Sequence, residues 1–323
     1  MRRYLAGRVL QGVGVVLMIA TLTYVLLHLA PGDPITMSLD RPGVTEATRA
    51  EWRRAYGLDR PLGEQYLRWV AGAARGDLGY SYSHHRPVGD VIAEALPRTA
   101  LLTGLALLLS FGVGIAVGVL QVERAGGHRD RWMGRVLLLL YSVPDFWLAL
   151  LALLLFAYRI PVLPAGGLVD PVMYEYLTPS QQLVDRLRHL VLPVTTLTLL
   201  TSAVIARYQR SALLEVIATD WMRTALAKGL SWRKAVRRHA LRNALLPTIT
   251  LAGLSLPALA AGALFVEKVF SWPGMGLVTV NAIGARDYPL VTGGVLVISV
   301  MVVAGALLAD LVIALADPRV RLR

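Results

Sequence analysis

Binding the phosphates of a nucleotide would need a suitably placed lysine, and the chain has three lysines. A P-loop requires Gly-x-x-x-x-Gly-Lys-Ser/Thr, because its backbone amides and its lysine together hold the phosphates. Lys228, Lys234 and Lys268 lie in Ala-Lys-Gly, Arg-Lys-Ala and Glu-Lys-Val, so none of them fits this pattern. The chain also lacks cysteine, the HExxH motif, a nucleophile elbow and usefully spaced carboxylate pairs. The sequence therefore predicts a protein that is not an enzyme and has no cofactor of its own.

Asp145 is the side chain whose position suggests a role in binding. It lies about ten residues into a long apolar run, near the middle of a membrane, where carboxylates are usually functional. It could line a pathway and meet a substrate amine, or it could bond backbone groups freed by Pro144. The pair His84-His85 raises the question of a metal site. Adjacent histidines point apart and no third ligand is near in sequence, so no metal is expected.

Composition and hydropathy describe the elements that must position these groups. The chain has 323 residues, of which 55% are hydrophobic, and a net charge of +12. Its apolar runs are each about 20 residues or longer, enough to cross an apolar core of ~30 Å as a helix. The predicted fold class is therefore an all-α polytopic membrane protein. The six predicted transmembrane helices are 9–30, 99–122, 135–158, 190–210, 245–269 and 289–316.

The charges between these spans predict the orientation of the chain. Segments rich in Lys and Arg alternate with segments of balanced charge. Because Lys and Arg stay on the cytoplasmic side, both termini are expected to be cytoplasmic. The balanced segments 31–98, 159–189 and 270–288 are then external. The predicted division is an N-terminal transmembrane helix at 1–30, an extracytoplasmic domain at 31–98, a core at 99–316 and a cytoplasmic tail at 317–323.

The segment 207–247 is the most basic part of the chain, with nine Lys and Arg residues against Glu215 and Asp220. Its apolar residues recur at helical spacing and predict an amphipathic helix. These residues are Leu214, Ile217, Trp221 and Ala225. Gly229 then favours a left-handed helix stop, and Ser231 stands at the N-cap position of a second helix from Trp232. The segment is therefore predicted to be a helix, a tight turn and a helix.

Three interpretations of this corner are open. It could be a solvated loop whose charge only fixes the topology. It could be a DNA-binding helix-turn-helix, but both flanks enter the membrane within a few residues, so no nucleic-acid partner is expected. It could also be a docking element for a cytoplasmic partner, in which a short helix at a fixed angle transmits motion to the membrane helices.

The docking interpretation is supported by a resemblance. The stretches Arg223–Ser231 and His239–Pro247 resemble the coupling loop of binding-protein-dependent ABC importer permeases, in the dipeptide/oligopeptide/nickel branch. The general motif is EAA, three residues, Gly and a distal I-x-L-P. Arg223-Thr224-Ala225 stands in the place of EAA, and the spacing from Gly229 to Pro247 is long, as is typical of this branch. Further similar stretches are 27–34, 57–61, 76–79, 142–148, 266–276, 286–289 and 317–322.

The resemblance implies a permease subunit of an ATP-driven importer of peptides, or alternatively of nickel or another small solute. Its partners would be membrane lipid, a second similar permease, cytoplasmic ATPases that bind ATP and Mg²⁺, and an extracytoplasmic solute-binding protein. The implied coupling residues are Arg223, Thr224, Ala225, Lys228, Gly229, Leu230 and Ser231.

Asp145 and Pro257, which invites a helix kink, are candidates for the pathway. Two interpretations of other classes remain: an ion-gradient-driven secondary transporter and a non-transporting scaffold. For the first, Asp145 and Asp310 are the only candidate intramembrane charges.

Overall fold

The computed structural model describes residues 2–29, 45, 47, 51, 54, 59–261 and 263–316. The predicted tail at 317–323 lies outside these residues, as does most of 31–58. The chain divides into two compact units, Met1–Thr99 with Pro273–Val303 and Ala100–Trp272 with Ala304–Arg323. We call these unit 1 and unit 2. The four-part division expected from the sequence stays a prediction.

The described chain is mostly helical. Its helices and strands are α1 (Arg2–Leu29), α2 (Leu62–Ala73), β1 (Tyr80–Ser81), β2 (Arg86–Pro87), α3 (Val88–Glu123), α4 (His128–Ser142), α5 (Asp145–Leu153), α6 (Pro179–Ile217), α7 (Asp220–Ala227), α8 (Trp232–Ala235), α9 (Leu241–Ser255), α10 (Ala258–Ala261), α11 (Leu264–Val269), α12 (Met275–Gly284) and α13 (Tyr288–Ala316). The π-helical turn Leu154–Arg159 continues α5, and a second π-helical turn, Val236–Ala240, joins α8 to α9. Residues Tyr174–Tyr176 form a 3₁₀ turn.

Unit 1 has a core in which the start of α3 packs against α12 and the start of α13. The buried residues of this core are Val88, Val91, Ile92, Ala95, Met275, Ala282, Leu290 and Val291. The antiparallel pair β1–β2 comes just before α3, with Tyr80 opposite Pro87 and Ser81 opposite Arg86. The side chain of Asp287 is fully buried and accepts hydrogen bonds from Ser81 Oγ (2.5 Å), Ser83 Oγ (2.7 Å) and the Ser83 amide (2.9 Å). These bonds tie the start of α13 to the hairpin.

Unit 2 is built around α6, which contacts α4, α5 and α9. α6 begins at Pro179, where Pro suits the first helical position, and the Thr178 amide donates to Gln181 Oε1 at 3.0 Å. The part of α3 in this unit lies close to α6, since a Cβ on Gly118 would come within 2.9 Å of the Ala206 carbonyl oxygen. Small residues of this kind allow helices in membranes to approach closely.

Four of the six predicted spans are helices that are long and apolar enough to cross a membrane. These are Ala6–Leu29, Val88–Glu123, Pro179–Ile217 and Tyr288–Asp310. The predicted span 135–158 is instead a bent pair, α4 and α5, with an angle of 101°. The bend falls at Val143 and Pro144, which have extended backbones. The part of the chain described by the structure therefore has four such spans, or five if the bent pair counts as one.

The predicted span 245–269 is not one continuous helix. It consists of α9, α10 and α11, with breaks after Ser255 and after Ala261. Pro257 lies at the first break, where its lack of an amide hydrogen removes one helical hydrogen bond. Hydropathy alone averages over such a break, and the predicted count of six spans is therefore not confirmed.

Candidate functional site

The predicted corner at Gly229 is present and has a defined backbone motif. The Leu230 amide donates to the Ala225 carbonyl oxygen at 3.4 Å, and the Gly229 amide donates to that of Leu226 at 2.9 Å. This pair of bonds is a Schellman motif, which needs a left-handed residue after the helix end. Gly229 supplies it with φ of +85°. Ser231 is then extended, and α8 starts at Trp232, where the Ala235 amide bonds to the Ser231 carbonyl oxygen at 2.9 Å.

The predicted amphipathic helix before the corner is not continuous. α6 ends at Ile217, and α7 starts only at Asp220. Two of the four residues of the predicted apolar face, Ile217 and Ala225, are half-buried. The other two, Leu214 and Trp221, are 38% and 42% exposed, and Met222, next to Trp221, is fully buried instead.

Met222 anchors α7 in an apolar cluster that involves the segments on both sides of the corner. The buried members are Val119, Val122, Ala212, Leu213, Met222, Ala235, Val236, Ala240 and Ala244. Leu226 and Leu230 pack against the same cluster. Burying one such side chain contributes about 1.5–3 kcal/mol, so α7 is held against α3, α6 and α8 by several favourable contacts.

The opposite face of α7 is exposed and polar. Of the seven predicted coupling residues, five are exposed, and Ala225 and Leu230 are half-buried. The exposed five are Arg223, Thr224, Lys228, Gly229 and Ser231. Arg223 forms an ion pair with Asp220 at 3.4 Å, but their side chains are 77% and 96% exposed. Such a surface pair contributes little to stability, so both groups remain accessible to another molecule.

A buried polar contact holds α6, which precedes the corner, to α9, which follows it. Thr248 Oγ1 of α9 donates to Gln209 Oε1 of α6 at 2.6 Å, and Gln209 Nε2 donates to the Ala244 carbonyl oxygen at 3.2 Å. Gln209 is fully buried. We did not predict this contact from the sequence. An amide side chain on a buried helix face nevertheless indicates a buried hydrogen bond, because buried polar groups are hydrogen-bonded.

Two ion pairs connect the basic segment to the end of α3 and the start of α4. Arg210 Nη2 lies 3.1 Å from Asp130 Oδ2. Arg237 Nη2 lies 3.1 Å from Glu123 Oε2, and Arg237 Nε also contacts that carboxylate. The hydrogen bond to Glu123 raises the pKa of the Arg237 guanidinium. Arg210 and Arg237 therefore have structural partners, unlike the accessible charges of α7.

The two predicted pathway residues both lie at helix breaks of unit 2. Asp145 is the first residue of α5, and its Oδ1 accepts the Phe146 amide at 2.8 Å. It also lines an open cavity of about 330 Å³ beside α6. Pro257 is half-buried between α9 and α10 and does not line this cavity. Around His84 and His85, as elsewhere in the described residues, no three possible metal ligands come together.

The sequence matches two family models over nearly its whole length. Residues 110–322 match the binding-protein-dependent transport system inner membrane component, and residues 1–103 match the N-terminal part of such membrane components. The chain belongs to this family of transport permeases. The resemblance found in the coupling loop is thereby confirmed, and the permease is the membrane subunit of an ABC importer.

Several curated relatives match the permease along its length. It is 39% identical over 323 residues to a putative peptide permease protein of Brucella ovis, with 99% of both chains covered. It is 35% identical to the oligopeptide transport system permease protein AppB of Bacillus subtilis, again with 99% of both chains covered. It is 37% identical to the di/tripeptide transport system permease protein DppB of Pseudomonas aeruginosa, with 94% of both covered.

A solved structure of the same kind shows the fold of the permease. It is a chain of the MetNI methionine ABC transporter, with a TM-score of 0.53 and 18% identity, covering 70% of this chain and 96% of that one. At this identity the likeness concerns the fold alone. Family membership decides against the DNA-binding, ion-gradient and scaffold interpretations. The role of the corner residues in coupling stays a prediction.

Proposed function

We propose that the permease carries di- and oligopeptides inward across the cytoplasmic membrane and that its corner at 220–231 couples this transport to ATP hydrolysis. The relatives support the substrate class, since they include oligopeptide and di/tripeptide permeases. Nickel or another small solute is the alternative substrate. No described contact favours it over peptides.

The charge pattern supports the orientation in this proposal. The N-terminus, the segment 123–135 and the segment 207–247 are all rich in Arg and Lys. These segments are cytoplasmic by the positive-inside rule, and the loop 159–189 is then external. Both termini are cytoplasmic in this arrangement. The corner therefore faces the compartment in which ATP is available.

The partners follow from what the chain lacks and from its family. Since the sequence contains no P-loop, the ATP and Mg²⁺ must be bound by cytoplasmic ATPase subunits. A second, similar permease subunit completes the membrane part. An extracytoplasmic solute-binding protein delivers the peptide, as the family's description as binding-protein-dependent implies.

The observation that carries the coupling proposal is the two-sided character of α7. One side, with Met222, is buried in a cluster with residues of α3, α6 and α8. The other side exposes Arg223, Thr224 and Lys228. A partner that pushes the exposed side therefore moves a helix whose buried side shares one apolar cluster with three other helices. Interiors packed in this way transmit displacement because they are close-packed and poorly compressible.

Gly229 fixes the angle at which this force is applied. Its backbone has φ of +85°, a region that residues with a Cβ reach only at a cost of about 1–2 kcal/mol. A Cβ added to Gly229 would meet no other atom within 4 Å. A substitution at this position therefore tests the backbone conformation of the corner, without a steric clash in the folded state.

Asp145 and Pro257 are proposed to serve the pathway in different ways. The carboxylate of Asp145 reaches a cavity beside α6, so it can meet a solute. Pro257 maintains the break between α9 and α10 and so allows these segments to bend as the pathway opens.

The test is uptake of a labelled tripeptide, with labelled nickel in parallel, by cells of the source organism that lack this chain. The cells are complemented with wild type, Gly229→Val or the matched control Gly229→Asn, because Asn tolerates the left-handed conformation. We expect wild type and Asn to restore peptide uptake, and Val to lower it by about tenfold or more while the protein still inserts.

The outcomes separate the parts of the proposal. Full uptake with Gly229→Val would contradict the coupling role of the corner. A deficit in nickel uptake without a deficit in peptide uptake would contradict the substrate class and leave the coupling role standing.

A further inference from the structure

Two open cavities of unit 2 lie side by side along α6. The first, of about 330 Å³, is lined by Asp145, Thr201 and Ser255, among others. The second, of about 390 Å³, is lined by Arg207, Tyr208 and Ser211. Both are also lined by Tyr141 and Val204, so the two cavities adjoin. We call the two adjoining cavities the α6 trough.

The two ends of the α6 trough carry opposite charges. Asp145 stands at one end, and its only hydrogen bond among the described residues is the one from the Phe146 amide. Arg207 stands at the other end, with its guanidinium carbon 5.1 Å from the centroid of the Tyr141 ring. Within the part of the chain that the structure describes, neither forms an ion pair. For Asp145, which lies in an apolar run, an unpaired charge in the membrane is costly unless it faces water, a partner or a ligand.

The length of the α6 trough along its helix suits a short peptide. Thr201 and Tyr208, which mark the two cavities on α6, are seven residues apart, or about 10 Å at 1.5 Å per residue. An extended di- or tripeptide spans about 7–11 Å at 3.3–3.6 Å per residue. A free peptide carries an ammonium group at one end and a carboxylate at the other, which is the charge pattern that complements the trough.

We propose that the α6 trough binds the peptide during translocation, with Asp145 accepting the N-terminal ammonium group and Arg207 donating to the C-terminal carboxylate. Ser211, Thr201 and Ser255 offer hydroxyl groups to the peptide backbone between these ends. The substrate class rests on the proposed function. The new element is that the permease itself recognises both termini, so that selectivity is not left to the solute-binding protein alone.

The bend between α4 and α5 is what places the carboxylate at the trough. The chain turns through 101° at Val143 and Pro144, and Asp145 then opens α5. A purely local role is the competing explanation, because Asp145 Oδ1 also accepts the Phe146 amide at the start of α5. Asparagine has the same shape and can accept that hydrogen bond, but it has no charge. The substitution Asp145→Asn therefore separates the two roles.

The experiment uses the complete transporter in proteoliposomes with its solute-binding protein. Uptake is measured for one tripeptide in three forms: with free termini, N-acetylated and C-terminally amidated. Each form is supplied at a concentration that saturates the solute-binding protein, as checked by direct binding. The variants are Asp145→Asn with control Asp145→Glu, and Arg207→Gln with control Arg207→Lys.

The expected result is a crossed pattern. In wild type, uptake of the free peptide exceeds that of each blocked form. Asp145→Asn lowers the ratio of free to acetylated uptake by about tenfold and leaves the ratio to the amide unchanged, since charge-assisted hydrogen bonds are the strong ones. Arg207→Gln lowers the ratio of free to amidated uptake by about tenfold and leaves the ratio of free to acetylated uptake unchanged. The charge-retaining controls keep most of the discrimination.

Other results overturn the inference. If each variant lowers uptake of all three peptides equally, Asp145 and Arg207 have structural roles only. If wild type does not discriminate among the three forms, the permease does not recognise the termini. If wild type takes up no peptide at all, the proposed function fails together with the inference. If wild type takes up peptide normally but the variants have the same ratios of free to blocked uptake as wild type, only the inference is overturned.

Discussion

Two helix ends in this permease share one backbone motif and differ in what surrounds it. α7 ends at the corner with Gly229, and α12 ends with Arg286, whose φ is +54°. At the end of α12 the Asp287 amide donates to the Ala282 carbonyl oxygen at 2.9 Å, and the Arg286 amide to that of Ile283 at 3.1 Å. Both ends are therefore Schellman motifs, one in each unit.

The difference lies in the side chains. After Arg286, the fully buried carboxylate of Asp287 accepts three hydrogen bonds from Ser81 and Ser83 and a fourth from the Leu290 amide at 3.2 Å. Around Gly229 no atom lies within 4 Å of the position of a Cβ, and the neighbouring Lys228 is exposed. The same turn thus closes a structural connection in unit 1 and presents an accessible surface in unit 2.

The largest expected loss of stability follows from removing the structural connection. Asp287→Ala leaves the fully buried hydroxyl group of Ser81, and the hydroxyl group of the exposed Ser83, without their acceptor, and we expect a cost of about 3 kcal/mol or more. The measurement is the unfolding midpoint of the purified transporter. The control Ser83→Ala removes one donor and leaves the carboxylate with Ser81, so it should cost about 1 kcal/mol. Equal losses for the two variants would contradict the central role of the carboxylate.

The smallest expected effect on stability is at the exposed face of α7. Arg223→Ala breaks only the exposed pair with Asp220, so the unfolding midpoint should shift by no more than about 1 °C. Peptide uptake per ATP hydrolysed should nevertheless fall by about twofold or more, because Arg223 belongs to the proposed docking face. The control is Arg233→Ala, which removes an exposed arginine from the following helix. If Arg223→Ala clearly lowered stability without changing uptake, the end of α7 would be a structural connection and not an accessible docking surface.

The sequence was informative about the corner because the responsible signals are local. Gly229 and Ser231 lie close together, and a left-handed stop followed by a helix start depends on adjacent residues. The continuity of the helix before the corner was mispredicted because the apolar pattern continued across the break at Ala218 and Thr219. Hydropathy likewise did not detect the break at Pro257 as an end of a helix.

Contacts between distant parts of the chain could not be found by the same reasoning. Asp287 and Ser81 are 206 residues apart, and only the fold brings them together. Asp145 was recognised as an unusual carboxylate from its place in an apolar run. Arg207, however, was counted only as one of nine basic residues in its segment, because its position beside Tyr141 depends on the packing of α4 against α6.

The most direct test of the central claim uses the fact that the chain has no cysteine. Lys228→Cys places a unique thiol on the exposed face of the corner, and Tyr176→Cys places one in the loop 159–189, where Tyr176 is 82% exposed. Each variant of the complete transporter is treated with a short thiol-to-amine cross-linker, and the adducts are identified by mass spectrometry. The account predicts an adduct with the ATPase subunit for Lys228→Cys and none for Tyr176→Cys. An ATPase adduct from Tyr176→Cys, or its absence from Lys228→Cys, would contradict the docking of the ATPase at this corner.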